Sequence, residues 1–285
     1  MAFKTLARRV GAGAVLIPIV LLIAHRGGAL FAGFVALVAA VGSYEFARMA
    51  AAGGFRVSQP AVVAASALVA LSFHLGSLPL AGAVLTAILL IVLTERIFRV
   101  GVEEYASSVS LSLAAVLYTG WLPGFFILIR QLPAGLDGGG RSAPGDAGWA
   151  MVALVLILSW SNDSGAYFVG SALGRHKLIP RVSPSKTVEG ALGGIACCVA
   201  AALIARATFT PFLTAPAAVA AGIVVGAACI LGDLAESMLK RSTGVKDSSH
   251  LIPGHGGLLD RFDSLLFAGP VFYLVARITL SGVTP

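Results

Sequence analysis

Residues 216–236 read PAAVAAGIVVGAACILGDLAE, and no ionisable group interrupts them before Asp233. A helix needs roughly 20 mostly apolar residues to cross the hydrocarbon of a bilayer. This stretch meets that requirement and then ends in acidic residues. Runs of similar size centre on 10–24, 29–46, 60–75, 78–95, 111–129, 149–171, 188–207 and 262–281. The whole chain is 58% hydrophobic and only 12% charged, with mean hydropathy +0.92. Soluble domains carry about 25% charged residues, so the bilayer is the natural solvent. The expected fold is an all-α polytopic integral membrane protein with about nine transmembrane helices.

Charge sets the orientation. Placing the N-terminus in the cytoplasm puts 15 of the 20 Lys and Arg residues in cytoplasmic segments, as the positive-inside rule requires. An odd number of spans then leaves the C-terminus outside. Lys4, Arg8 and Arg9 before an apolar run imitate a signal peptide, but the run ends in His25-Arg26 without a small-x-small cleavage site, so an uncleaved first anchor is expected. The net charge of +7 is scattered between spans rather than gathered in a stripe. Anionic lipid headgroups, not nucleic acid, are therefore the expected partner. Cys197, Cys198 and Cys229 lie in apolar runs without metal-site spacing and read as packing residues.

The Gly- and Pro-rich segment 132–148 reads as an outside loop. It separates an apolar N-terminal part, 1–131, from a C-terminal part, 149–285, in which polar residues recur within the spans. Ionisable groups at membrane depth are costly and default to functional candidates. Asn162 and Asp163 interrupt the span 149–171. Ser183-Pro184-Ser185-Lys186-Thr187 precedes the span opened by Val188, with Ser183 placed to cap the helix and Pro184 at its first position. Such a helix start, with hydroxyls and a lysine, suits phosphate, although it also describes an ordinary capped helix. Asp233, Glu236, Ser237 and Lys240 share one helical face by their spacing. Lys240-Arg241 and Lys246-Asp247 form a basic cluster at the membrane surface, and such clusters also serve simply as lipid anchors. Last comes Pro253-Gly-His255-Gly256-Gly257-Leu-Leu-Asp260-Arg261-Phe-Asp263. A structural turn would explain its glycines, but not the packed His, Asp, Arg and Asp.

Carboxylates with oxygen-donor neighbours suit a hard cation such as Mg²⁺ better than zinc. Acids that hold a cation and bases that neutralise phosphate are the equipment of phosphoryl or nucleotidyl transfer. No Walker A loop is present.

The signature 237–263, with Ser237-x-Leu239-Lys240-Arg241, Lys246-Asp247 and Ile252-Pro253-x-His255-Gly256-Gly257-Leu258-x-Asp260-Arg261-Phe262-Asp263, resembles that of the phosphatidate cytidylyltransferase family. It does not depart from the pattern at any of its 27 positions. Asn162 to Gly170, Ser183 to Gly190 and Gly232-Asp233 extend the likeness across roughly 150–275. The resemblance implies transfer of the cytidylyl group of CTP to phosphatidic acid, giving CDP-diacylglycerol and pyrophosphate. It implies Mg²⁺ as cofactor, with K⁺ as a candidate second ion, and Asp233 and Asp260 as the metal ligands. Asp163 and Asp263 are further carboxylates. The catalytic set it implies is Asp233, Lys240, Arg241, Lys246, Asp247, His255, Asp260, Arg261 and Asp263. The substrate-binding set is Asn162, Asp163, Ser183, Lys186, Thr187, Ser237, Gly256 and Gly257. Lys186 and its neighbours could take either the phosphatidate headgroup or the β,γ-phosphates of CTP. His255 could orient a phosphate or act as an acid. CTP, phosphatidic acid and membrane lipids are the implied partners, a homodimer is one compatible assembly, and a bacterial inner membrane with a cytoplasmic active site is the implied location. Two other readings share some of these features. One is a CTP-dependent lipid-alcohol kinase, and the other is an ion-coupled transporter using Asp163 and Asp233.

Overall fold

Every apolar run that falls within the described residues forms a helix. The computed structural model describes residues 17–132, 146–249, 251 and 256–280. The part of the expected first span before Ile17, most of the expected outside loop, His255 and the final residues lie outside them.

In chain order the helices are α1 (Ile17–Arg26), α2 (Gly28–Ala52), α3 (Gln59–Ser72) and α4 (Leu78–Ile97). Then follow α5 (Val102–Val116) and α6 (Leu122–Arg130), joined by a π-helical turn at Leu117–Trp121. The series ends with α7 (Ala147–Leu173), α8 (Val188–Thr208), α9 (Ala215–Ser242) and α10 (Leu259–Leu280). Seven helical segments among the described residues are long and apolar enough to cross a membrane, α5 and α6 counting as one, while Ile17–Arg26 and Gln59–Leu75 are shorter. The chain is a helical integral membrane protein. Only 17% of the apolar window of α4 is buried within the protein, and Leu90 and Ile91 are 59% and 64% exposed. Water would penalise so large an outward apolar surface, whereas acyl chains solvate it.

Local chemistry sets the helix ends. Gly27 and Gly28 take φ of 65° and 56°, so the chain reverses cheaply between α1 and α2. Ser77 accepts from Leu80 N at 3.3 Å to start α4, and Asp146 accepts from Trp149 N at 3.0 Å to start α7. Pro60 and Pro79 occupy first-turn positions, where no N–H is needed.

The described chain forms two compact units. The first runs to Ile127 and includes Leu239–Phe262; the second comprises Leu128–Met238 and the residues from Asp263 onward. In the first unit, Phe73 is fully buried beside Trp121, with ring centroids 4.9 Å apart, and beside Phe125 at 5.4 Å. Thr119 meets Ser66, Oγ1 to Oγ, at 3.2 Å.

In the second unit α7 and α8 pack closely through glycines. A Cβ at Gly190 would lie 2.8 Å from the carbonyl oxygen of Ala166, and one at Gly222 would lie 2.6 Å from Val199 Cα. The small-residue spacings Gly190-x-x-x-Gly194 and Gly222-x-x-x-Gly226 therefore mark real helix contacts. Cys198 Sγ donates to the Leu158 carbonyl at 3.1 Å, in keeping with a packing role.

One departure from an all-helical chain lies between α7 and α8. Strands β1 (Lys177–Ile179) and β2 (Ser183–Thr187) pair antiparallel, with Lys177 opposite Thr187 and Ile179 opposite Ser183. Ser183 and Pro184 are thus extended and do not open the helix. Thr187 is the cap, and its Oγ1 accepts from Gly190 N at 3.1 Å. Proline lacks an N–H to donate, which a two-stranded hairpin tolerates because both strands are edges.

Candidate active site

The first unit places Asp260 at the centre of a hydrogen-bonded turn. Asp260 lies in the first turn of α10, with its side chain 10% exposed, and its Oδ1 pairs with Lys240 Nζ at 2.5 Å. Its Oδ2 accepts from Ser248 N at 3.1 Å, Ser248 Oγ at 2.9 Å and Gly257 N at 2.9 Å. The glycines make room for this arrangement. Gly256 has φ of 80°, and a Cβ there would lie 2.8 Å from Asp260 Oδ2. A Cβ at Gly257 would press into Ser248 and lie 2.7 Å from Glu45 Oε1.

That last contact points to a residue outside every sequence-derived candidate set. Glu45, near the end of α2, is fully buried. Its Oε1 accepts from Ser249 Oγ at 2.5 Å and Leu258 N at 2.9 Å. Its Oε2 accepts from Ser248 Oγ at 3.1 Å and Leu259 N at 2.7 Å. An ionisable side chain in an apolar helix was the available signal. It lies at the edge of the apolar run 29–46.

The second unit gathers another polar cluster. Lys186 on β2 forms an ion pair with Asp233 on α9, and Ser237 Oγ donates to Asp233 Oδ1 at 3.3 Å. A cavity of about 480 Å³ is lined by these two residues and by Asn162, Asp163, Tyr167 and Thr187, among others. Asn162 is buried, and its Oδ1 has no hydrogen-bond partner among the described residues. That oxygen faces Gly194 of α8, where a Cβ would lie 2.6 Å from it. The hairpin carrying Lys186 is anchored by Glu189, which accepts from Arg175 N at 3.1 Å and sits 2.6 Å from His176 Nδ1.

The remaining candidates are dispersed. Arg241, Lys246, Asp247 and Arg261 are exposed residues of the first unit. Asp263 belongs to the second unit, where its Oδ1 accepts from Ser264 N at 2.6 Å. Ser183 is half-buried at the start of β2. Among the described residues no three His, Cys, Asp or Glu side chains come together as a ready metal cage. The donor set nonetheless fits a hard ion of the Mg²⁺ kind, which commonly takes one or two carboxylates and completes its shell with water and substrate phosphate oxygens.

Helices long and apolar enough to cross a bilayer thus carry two lysine–carboxylate pairs, one of them within a hydrogen-bonded glycine turn. The chain belongs to the cytidylyltransferase family, whose sequence pattern matches residues 7–279. It is 38% identical over 258 residues to a phosphatidate cytidylyltransferase of Pseudomonas aeruginosa, covering 86% of this chain and 87% of the relative. It is 34% identical over 275 residues to a phosphatidate cytidylyltransferase of Synechocystis sp., covering 89% and 90%. The uncharacterized protein YnbB of Escherichia coli is 40% identical over 168 residues, which is 57% of this chain and 53% of YnbB. The chain therefore matches about half the length of that relative.

Proposed function

We propose that this enzyme joins CTP to phosphatidic acid, giving CDP-diacylglycerol and pyrophosphate. The observation that carries the reading is the likeness to phosphatidate cytidylyltransferases along most of the chain. The lysine-paired carboxylates supply the chemistry that such a transfer needs.

In the proposed reaction a phosphate oxygen of phosphatidate attacks the α-phosphorus of CTP. The bond from that phosphorus to the bridging oxygen breaks, and pyrophosphate leaves with the electron pair. The attacking oxygen is already anionic, so no strong base is demanded. The principal barrier is bringing two polyanions together, which positively charged side chains reduce. Lys186 and Lys240 meet that need, with the exposed Arg241, Lys246 and Arg261 of the signature. Asp233 and Asp260 are the carboxylates that would hold Mg²⁺, with Asp163 and Asp263 as further acids. When bound, such an ion offsets charge on the phosphate oxygens.

In the same reading the chain has nine spans, to which Ile17–Arg26 and Gln59–Leu75 contribute the two shorter crossings. The N-terminus lies in the cytoplasm and the C-terminus outside, so the signature meets CTP at the cytoplasmic face of a bacterial inner membrane. The distribution of Lys and Arg supports this orientation.

The deciding assay uses purified protein, phosphatidate and CTP labelled at the α-phosphate, with and without Mg²⁺. Label should enter the lipid only when the cation is present. Label that remains in released CDP would instead establish a kinase and overturn the proposal.

A further inference from the structure

Glu45 occupies an unusual place for a carboxylate. It is fully buried in the helix Gly28–Ala52, yet among the described residues no Lys, Arg or His bonds to it. Taking a carboxylate out of water is expensive unless its oxygens are fully engaged. Here four donors engage them, two on each oxygen. Two of these are the backbone N–H groups of Leu258 and Leu259, at the start of α10, where N–H groups lack helical partners. Glu45 therefore caps the last helix from a position more than 200 residues earlier in the chain. A local Ser or Asp would cap that helix without burying a distant charge.

The other two donors explain what the distant cap accomplishes. Ser248 Oγ lies 3.1 Å from Glu45 Oε2 and 2.9 Å from Asp260 Oδ2, so one hydroxyl shares its single proton between both carboxylates. Ser248 N and Gly257 N also grip Asp260 Oδ2. Asp260 follows Leu259 directly, so the cap fixes its backbone while Ser248 fixes its side chain. We infer that Glu45 is a positioning residue for nucleotidyl transfer, holding the Asp260 carboxylate through Ser248 and the first turn of α10. The inference rests on the reaction proposed above.

The test measures kcat, KM for CTP and thermal midpoint on monodisperse protein for the wild type, Glu45→Gln, Glu45→Asp, Ser248→Ala and the double variant Glu45→Gln/Ser248→Ala. In Glu45→Gln the amide nitrogen faces two donors, so two of the four bonds are lost. With each ordinary hydrogen bond worth close to a factor of ten, less if neighbours relax, kcat should fall about thirtyfold or more. KM for CTP should stay within about threefold, because Glu45 reaches the reaction only through Asp260. Glu45→Asp should recover part of kcat. The double variant should be no slower than its slower parent, since both changes act on one network. Glu45→Gln with wild-type kcat and only a lowered thermal midpoint would overturn the positioning role, as would losses in kcat that simply multiply in the double variant. If Glu45→Gln does not yield folded protein, the same cycle run with Glu45→Asp and Ser248→Ala decides by the same criterion. Wild-type protein that forms no labelled lipid would instead defeat the proposed reaction, and the inference with it.

Discussion

Replacing Asp260 by Asn keeps the heavy-atom count of the side chain, yet the geometry of the turn makes it a severe perturbation. One oxygen of Asp260 faces the Lys240 ammonium at 2.5 Å, and the other faces three donors from Ser248 and Gly257. An amide has a single oxygen. If that oxygen stays with the three donors, the new NH₂ group points at an ammonium; if it turns to Lys240, the NH₂ group meets two N–H groups and a hydroxyl. The first arrangement loses fewer bonds but leaves Lys240, only 15% exposed, without the counter-charge of Asp260. Removing one member of a buried pair costs roughly 3–5 kcal/mol, and the residual exposure favours the lower end, about 3 kcal/mol. At roughly 2–4 °C per kcal/mol, the thermal midpoint in detergent should drop by on the order of 10 °C. Activity should fall on the order of a thousandfold or more, because the lost carboxylate is a proposed cation ligand. Adding Lys240→Met separates the two effects. The double variant also removes the cation that faced Asp260 and should regain most of the lost stability while remaining inactive. Thermal unfolding beside lipid-labelling turnover measures both quantities. Asp260→Asn with an unchanged midpoint, or a double variant no more stable than the single one, would refute the argument from pairing.

Two further substitutions probe the same geometry. Gly257→Ala places a methyl group against Ser248 and 2.7 Å from Glu45 Oε1; overpacking of this kind costs about 1–3 kcal/mol, so turnover and thermal midpoint should both fall, whereas a wild-type midpoint would mean the turn yields easily. Thr187→Val keeps the shape of the side chain but removes the cap on Gly190 N; it should cost about 1 kcal/mol of stability with turnover reduced less than tenfold, and a far larger loss of turnover would assign the hydroxyl to substrate.

The helices were largely legible in the sequence, because a bilayer demands continuous apolar length and the chain supplies it. Lys240 and Asp260 were legible by residue type, but their pairing was not, since residue spacing between helices carries no distance. Glu45 went unread for the same reason. Its donors stand more than 200 residues away, and local periodicity cannot report a partner that distant. The hairpin 177–187 was missed because Ser183-Pro184 and Thr187-Val188 are both plausible helix openings. Only the pairing of Ile179 with Ser183, which holds the first of them extended, decides between them.

The same charge arrangement occurs once in each unit, as Lys240 with Asp260 and as Lys186 with Asp233. An isolated lysine or carboxylate at such partly buried sites would be costly, and each neutralises the other. Under the proposed reaction the lysines are destined for phosphate oxygens and the carboxylates for a cation. A cation and a phosphate arriving together bring opposite charges, so each member of a pair would exchange one counter-charge for another. The lysine–carboxylate pairs thus serve as stand-ins for the substrate complex. They hold each charged group against an opposite charge, a role that CTP and its cation would take over. Removing only one member of a pair therefore disturbs the empty protein as well as the reaction, and that is why stability and turnover must be measured side by side.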